Sequence, residues 1–196
     1  MEHYFTKSPK SELKLFRIKE RLRNKHIEVY TASGLFSKNK VDKGTKLLIS
    51  KCIIKDNWKV LDLGCGYGII GVSLLLSNKK LEVVFSDINK RAIAITKKNI
   101  ELNNLKAEVI QSNCFENIKE NFDTILLNPP QTAGKDLCFR MIEESKEHLT
   151  IGGLLQIVAR HNKGGKELAK KMLELFNNVK DTAKSSGYRI YVSRKD

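Results

Sequence analysis

The stretch VLDLGCGYGIIG, residues 60–71, decides the fold of this chain. It begins as an apolar strand and ends in an apolar helical run, with Gly64, Gly66 and Gly68 between them. Glycine adopts the left-handed backbone of a tight turn and lets a ligand approach the main chain. The helix after such a turn begins with unpaired N–H groups and a positive dipole end. The stretch therefore predicts a strand–turn–helix unit that presents its backbone to a ligand.

Strands and helices alternate on both sides of this unit. Strands are predicted at residues 58–64, 81–87, 107–113, 122–128 and 153–160, with two more in 179–195 around a turn near Ser186 and Gly187. Helices are predicted at 43–54, capped by Asp42, and at 67–77, 90–103, 136–149 and 164–176. Apolar strands alternating with helices are typical of a parallel sheet covered on both faces. We therefore predict an α/β fold that binds ligands beyond the carboxyl ends of its strands.

The N-terminal residues follow a different pattern. Apolar and polar residues alternate over 13–22 and 26–31, which predicts a β-hairpin with Asn24 at its turn. Its polar face would carry the basic side chains Arg17, Lys19 and Arg21. We divide the chain into a basic hairpin extension over residues 1–40 and one globular unit over residues 41–196.

Charge indicates the kind of partner. The 196 residues include 36 basic and 22 acidic side chains, a net charge of +14. Residues 1–40 and 160–196 each carry ten Lys or Arg against four acidic residues. A basic chain attracts polyanions, and nucleic acid is the leading candidate. The alternative is that the lysines are solvated helix faces that serve only solubility.

The cysteines and the apolar runs argue for a metal-free protein in the cytoplasm. Cys52, Cys65, Cys114 and Cys138 form no CxxC pair and fit no zinc spacing. Buried free thiols in a reducing compartment are the simplest account. We expect no signal peptide, because the first residues are polar, and no apolar stretch approaches the ~20 residues of a membrane span. We expect a monomer that does not associate with membranes.

Polar residues at three predicted strand ends suggest one ligand. Asp62 lies where a carboxylate would repel a pyrophosphate but suits an ammonium, which argues against NAD despite a GxGxxG at residues 66–71. Asp87, at the second strand end, is placed to accept ribose hydroxyls, with Ile88 packing on a purine. The Asn113 oxygen would accept from an adenine amine. An ammonium, a ribose and an adenine together describe S-adenosylmethionine.

The motifs VLDLGCGYGIIG, VVFSDIN, QSNCF and ILLNPP, in this order, resemble class I S-adenosylmethionine-dependent methyltransferases. SGLFSKNKVDKGTKLL (33–48) and NPPQTAGK (128–135) narrow the resemblance to ribosomal RNA small-subunit guanine-N2 methyltransferases and their single-domain archaeal relatives. The resemblance implies a Rossmann-like, doubly wound, seven-stranded sheet, mostly parallel with the last strand antiparallel. It also implies that S-adenosylhomocysteine is a product. The predicted cofactor site comprises Asp62, Gly64, Cys65, Gly66, Gly68, Asp87, Ile88, Asn113, Cys114 and Asn128.

The second diagnostic stretch is Asn128-Pro129-Pro130. A residue before proline is driven to extended backbone, and each proline has a fixed φ and no N–H. The stretch therefore ends a strand and holds the Asn128 amide oxygen and the Pro129 carbonyl, free of competing donors, as two acceptors for one planar –NH₂. Such acceptors would aim the lone pair of a poorly nucleophilic amine at a methyl donor. We predict that Asn128, Pro129 and Pro130 are catalytic, the role the resemblance also implies.

One position departs from the family pattern. Many Asn-Pro-Pro methyltransferases continue with an aromatic residue that stacks on the target, whereas here Gln131 follows. Candidates for contact with the target base are Phe36, Gln131, Arg160 and His161. Phe139 could also stack, although its helical spacing favours the core. The roles of Gly134 and Lys135 stay open between shaping the pocket floor and starting a helix.

The sequence thus predicts an N-methyltransferase for an exocyclic amine of an RNA base. Guanine N2 in ribosomal RNA or a pre-ribosomal particle is the favoured target, on the resemblance alone. Basic side chains of the hairpin (Arg17, Lys19, Arg21) and of the C-terminal region (Lys163, Lys166, Arg189) would contact phosphates. The alternatives are a glutamine N5-methyltransferase of the release-factor type, and a noncatalytic RNA-binding module with the same fold.

Overall fold

A computed structural model describes residues 12–196, which form nine strands, five α-helices, a short 3-10 helix at Gln131–Ala133 and a π-helical turn at His161–Gly165. The strands are β1 Leu15–Leu22, β2 Lys25–Ala32, β3 Lys59–Leu63, β4 Glu82–Asp87, β5 Glu108–Gln111, β6 Phe122–Leu127, β7 Leu149–Arg160, β8 Lys180–Ser185 and β9 Tyr188–Arg194. The helices are α1 Lys43–Lys51, α2 Ile69–Ser77, α3 Lys90–Leu102, α4 Lys135–Glu147 and α5 Lys166–Phe176. The first eleven residues of the predicted extension lie outside the described residues.

Seven strands form one sheet in the order β5-β4-β3-β6-β7-β9-β8. The pairs from β5 to β7 are parallel, and β9 runs antiparallel to both β7 and β8. The predicted α/β fold, with its last strand antiparallel, is confirmed. The chain runs from β3 outward to β5 and then returns to β6 on the other side of β3, which places a topological switch point between β3 and β6.

The sheet is buried because its central strands are apolar on both faces. Leu61, Phe85, Ile125 and Leu126 are each fully buried, and α2 is apolar all round because neighbours cover it on every side. The core divides into two clusters, one on each face of the sheet. All four cysteines are buried free thiols, as the sequence predicts.

The predicted hairpin is present as β1 and β2. Arg23 and Asn24 form its turn with positive φ values of 47° and 61°, the backbone of a tight two-residue connection. Arg23 Nε donates to the carbonyl of Ile49 at 2.6 Å, near the C-terminal end of α1. On α3, the buried Asn99 accepts from the N–H of Tyr30 at 2.7 Å and donates to its carbonyl at 2.8 Å. The described part of the hairpin is thus attached to the sheet domain at both ends.

Several predicted boundaries differ from the structure, among them those of α1, β5 and β7. Helix α1 ends at Lys51, not at residue 54, because Gln156 in β7 bonds the backbone N–H and carbonyl of Ile53 at 2.8 and 2.7 Å. Strand β5 covers only Glu108–Gln111. Strand β7 begins at Leu149 rather than at residue 153, because Leu149 already pairs with Phe122 across an irregular register.

Gly71 is required by packing rather than by a turn. A Cβ at this position would lie 2.3 Å from the ring of Phe85, which is fully buried. We expect Gly71→Ala to lower the free energy of unfolding by about 1–3 kcal/mol, because α2 must move away from β4. Denaturant titration would measure the loss, and Phe85→Leu in the Gly71→Ala background should recover part of it. Strictly additive losses would contradict this assignment.

Candidate active site

A cavity of about 570 Å³ opens at the carboxyl ends of the central strands. Most predicted site residues line it: Phe36, Gly64, Cys65, Gly66, Asp87, Ile88, Asn113, Cys114, Asn128, Pro129, Pro130, Gln131 and Arg160. The cavity therefore collects residues from the ends of β3, β4, β5 and β6, as the switch-point rule predicts.

The glycine loop after β3 forms one wall. Gly64, Gly66 and Gly68 have φ values of 67°, 58° and 80°, in the left-handed region that favours glycine. A Cβ at Gly66 would meet no atom within 4 Å, so the main chain there faces open space. Asp87 Oδ2 accepts from the N–H of Gly66 at 2.9 Å and ties the loop to the end of β4.

Asp62 lies beneath this loop and is absent from the cavity wall. Its Oδ2 accepts from the N–H of Gly71 at 3.1 Å, and its Oδ1 is buried with no hydrogen-bond partner. Burial raises the pKa of Asp62 to about 7, and burial likewise raises the pKa of Asp87 to about 6. An unpaired buried carboxylate oxygen suits a positively charged or N–H-bearing ligand group. Its predicted contact with an ammonium stays a prediction.

The residues that follow β4 and β5 form another part of the wall. Ile88 is half-buried, and Asn113 Nδ2 donates to Glu116 at 2.6 Å. Because a carboxylate only accepts, the Asn113 amide must turn its nitrogen to Glu116, which leaves Oδ1 for an outside donor. Burial raises the pKa of Cys114 to about 11, so this thiol is neutral at pH 7 and is not an activated nucleophile.

Asn128 is held by its nitrogen. Nδ2 donates to Thr45 Oγ1 at 3.0 Å and to Asp42 Oδ2 at 3.3 Å, which leaves Oδ1 as the acceptor of the amide. The Pro129 carbonyl accepts from the N–H of Gln131 at 2.8 Å, so the prediction that it has no competing donor is wrong. A carbonyl oxygen keeps a second lone pair for another donor.

Gln131 joins two loops. Its Nε2 donates to the carbonyl of Lys163 at 2.7 Å, and its Oε1 accepts from the N–H of Arg160 at 3.4 Å. The aromatic residues on the cavity wall are Phe36, Tyr67 and Tyr188. Gln131 thus shapes the wall, and the aromatic rings on the wall come from other elements.

Several predicted residues are not part of the cavity wall. Gly68 is the N-cap of α2, and His161 bonds the hydroxyl of Tyr191 at 2.6 Å. Lys135 starts α4 and pairs with Glu167 at 3.1 Å. Other predicted contacts absent from the wall are Arg17, Lys19, Arg21, Phe139, Lys166 and Arg189.

Asp42, Thr45 and Tyr188 are among the cavity-wall residues that sequence reasoning did not assign to the site. Asp42 was predicted only as a helix cap, and it does accept from the N–H groups of Gly44 and Thr45. Tyr188 begins the antiparallel strand β9 and donates its hydroxyl to Asp42 Oδ1 at 3.0 Å. Asp42 and Thr45 lie within residues 33–48, a stretch that carries the narrower family resemblance.

Solved structures share this architecture. RsmC, a 16S rRNA N2 G1207 methyltransferase from T. thermophilus solved with AdoMet and guanosine, superposes with a TM-score of 0.83 at 24% identity, over 96% of this chain and 52% of that one. A ribosomal protein L11 methylase from Lactobacillus delbrueckii gives a TM-score of 0.66 at 18% identity, over 82% of this chain and 88% of that one. These likenesses show that the chain has the fold of class I S-adenosylmethionine-dependent methyltransferases.

Sequence comparison shows the family to which the chain belongs. Residues 26–192 match the methyltransferase small domain family, and the chain belongs to that family. Uncharacterized protein YbxB of Bacillus subtilis is 36% identical over 99% of this chain and 98% of its own length. Ribosomal RNA small subunit methyltransferase C of Pasteurella multocida is 40% identical over 68% of this chain and 42% of its own length. The chain thus spans about half the length of the rRNA methyltransferase relatives it matches.

Among the described residues, no group of three His, Cys, Asp or Glu side chains could hold a metal ion. Within residues 12–196, every helix is too short or too polar to cross a membrane.

The pKa of Asp62 predicts a pH-dependent effect on stability. The pKa of the Asp62 carboxyl is near 4 in the unfolded chain and about 7 in the folded protein. Its contribution to folding stability is therefore fully present below pH ~4 and is lost as pH rises through about 7. The melting temperature of Asp62→Asn minus that of the wild type should therefore rise from pH 5 to pH 8. Asp56→Asn is the control, because hydrogen bonding to Lys80 lowers the pKa of this exposed carboxyl. A pH-independent difference would refute the assignment.

Proposed function

We propose that this protein methylates the exocyclic N2 amine of a guanine in ribosomal RNA. The observation that carries the proposal is the orientation of Asn128. Its nitrogen donates to Thr45 and Asp42, which leaves the amide oxygen as an acceptor beside the Pro129 carbonyl, and both residues line the cavity. Such a pair matches the two N–H bonds of a planar amine.

The cavity residues fit the cofactor. Asp87 would accept from ribose hydroxyls, Ile88 and Asn113 would hold the adenine, and the loop around Gly64 and Gly66 would face the amino-acid end. The cofactor supplies an electrophilic methyl group on a sulfonium, and S-adenosylhomocysteine remains after transfer. The orphaned oxygen of Asp62 beneath the loop is consistent with a nearby positive charge.

The chemistry required of the protein is alignment. The lone pair of an aryl amine is delocalised into the ring, and acceptors on both N–H bonds draw the nitrogen toward a tetrahedral shape. Asn128 and Pro129 would hold these bonds, which contributes through preorganised dipoles and through proximity. The methylated amine is acidic and releases its proton to water, so no strong base among the side chains is needed.

Guanine as the target base is supported by Arg160 and by the proteins to which the chain is similar. Arg160 lies on the same wall and carries donors that suit the O6 and N7 acceptors of guanine, whereas adenine presents an amine there. Relatives are named for ribosomal RNA methylation, and the T. thermophilus structure holds guanosine. The base would enter unpaired or flipped out of its helix.

Asn128→Ala should lower turnover at least 100-fold and change the affinity for S-adenosylhomocysteine less than threefold, because the lost acceptor acts mainly on the amine. The assay uses ribosomal RNA from cells that lack the protein, with mass spectrometry of the nucleosides after methylation. N2-methylguanosine is the expected product.

Asn121→Ala, on an exposed residue before β6, is the matched control and should behave as wild type. A parallel reaction with release factor tests the glutamine alternative. Label only in protein, or N6-methyladenosine as the only product, would overturn the guanine proposal. Full activity of Asn128→Ala would overturn the proposed role of the amide.

RNA binding should depend on the exposed face of the hairpin. Arg17 and Lys19 are exposed there, although both contact Glu28. The double variant Arg17→Glu, Lys19→Glu should weaken RNA binding and reduce the slope of log K against log salt by about 1–2, since each lost phosphate contact removes ~0.7–0.9. The control is the double variant Lys79→Glu, Lys119→Glu, which makes the same charge change at exposed residues before β4 and β6. Equal effects of the two double variants would place the RNA elsewhere.

A further inference from the structure

We infer that Asp42 and Thr45 are positioning residues that fix the amide of Asn128 with its oxygen toward the substrate, and that Tyr188 holds Asp42 in place. The kinetic consequence of this inference rests on the proposed function, whereas the orientation itself does not. No sequence motif assigns such a role to the start of α1.

The contacts converge on one carboxylate. Asp42 Oδ2 accepts from the Thr45 N–H at 2.8 Å, from Thr45 Oγ1 at 2.9 Å and from Asn128 Nδ2 at 3.3 Å. Asp42 Oδ1 accepts from the Gly44 N–H at 3.2 Å and from the Tyr188 hydroxyl at 3.0 Å. Asp42 therefore caps the helix and bonds the site with the same two oxygens.

The polarity of these bonds leaves the amide one orientation. A carboxylate has no hydrogen to donate, and the single hydroxyl hydrogen of Thr45 is directed to Asp42. Thr45 Oγ1 can then only accept, and it does so from Asn128 Nδ2 at 3.0 Å. A flipped amide would set its oxygen against two acceptors, losing both bonds and facing a negative charge.

Tyr188 supports Asp42 from a distant part of the chain. Tyr188 lies 146 residues after Asp42, at the start of β9, and its hydroxyl accepts from Arg160 Nε at 3.0 Å. A Cβ at Gly44 would lie 2.6 Å from the Tyr188 ring, so the glycine makes room for that ring against α1. The orientation of Asn128 is thus connected to Arg160, the residue proposed to contact guanine.

The first test is kinetic. Thr45→Val keeps the shape of the side chain and removes the hydroxyl, so the amide loses one acceptor. We expect turnover to fall roughly 10- to 100-fold, because a misplaced acceptor costs about this much. KM for RNA and the affinity for S-adenosylhomocysteine should change less than twofold, and Thr45→Ser should restore turnover. An unchanged turnover in Thr45→Val would overturn the inference.

The second test exchanges the hydrogen-bond donor and acceptor between Asn128 and Asp42. Asn128→Asp sets two carboxylates side by side and should abolish transfer. Adding Asp42→Asn restores the bond, because the new amide at position 42 donates to the new carboxylate at position 128. Asparagine also caps helices well. We expect the double variant to recover at least tenfold over Asn128→Asp. Circular dichroism checks that α1 is intact, and no recovery by a folded double variant would count against the pairing.

The third test needs neither RNA nor turnover. In the ¹⁵N-labelled protein, the Asn128 side-chain amide, assigned from its absence in Asn128→Asp, should exchange its hydrogens slowly with water. Thr45→Val should accelerate this exchange at least tenfold, whereas Thr45→Ser should not. Unchanged exchange would overturn the inference. If the wild type methylates neither RNA nor release factor, the proposed function fails, and the exchange data still decide the orientation.

Discussion

The parallel pairing of β3 with β6 is the constraint on which the rest of the site depends. Because the chain leaves β3 for β4 and β5 and returns to β6 on the other side, the segments that follow β3 and β6 diverge and leave a crevice. The glycine loop and Asn128-Pro129-Pro130 are the segments that leave these two strands. Their side chains and backbone face the same cavity without any long insertion.

Carboxylates organise this crevice. Asp87 anchors the glycine loop through Gly66, and Asp42 anchors Asn128 and Tyr188. Asp62 and Asp87 are held at raised pKa values by burial, which is unfavourable for a cofactor-free fold near pH 7. Groups with perturbed pKa values concentrate at functional sites, where ligand binding can offset such a cost.

The N-terminal hairpin completes the site. Asn99 binds both backbone groups of Tyr30 in β2, and Arg91 Nη1 donates to the carbonyl of Ser33 at 2.7 Å. These bonds hold the segment that brings Phe36 to the cavity wall. The basic outer face and an inner face buried against the sheet domain occupy opposite sides of β1 because side chains alternate along a strand.

The residue pattern by itself determined the α/β fold and most of the predicted site residues that line the cavity. Both follow from hydrophobic periodicity and from glycine, aspartate and asparagine at strand ends, which are local signals. The antiparallel last strand was implied by the family resemblance of the sequence motifs. Only the tertiary structure decided that Asp62 lies beneath the loop, that Gln131 bonds the loop after β7, and that Asp42 and Thr45 grip Asn128. Asp42 and Asn128 are 86 residues apart in the chain. Tertiary packing determines which donors and acceptors meet across such a separation, and a local sequence pattern does not contain this information.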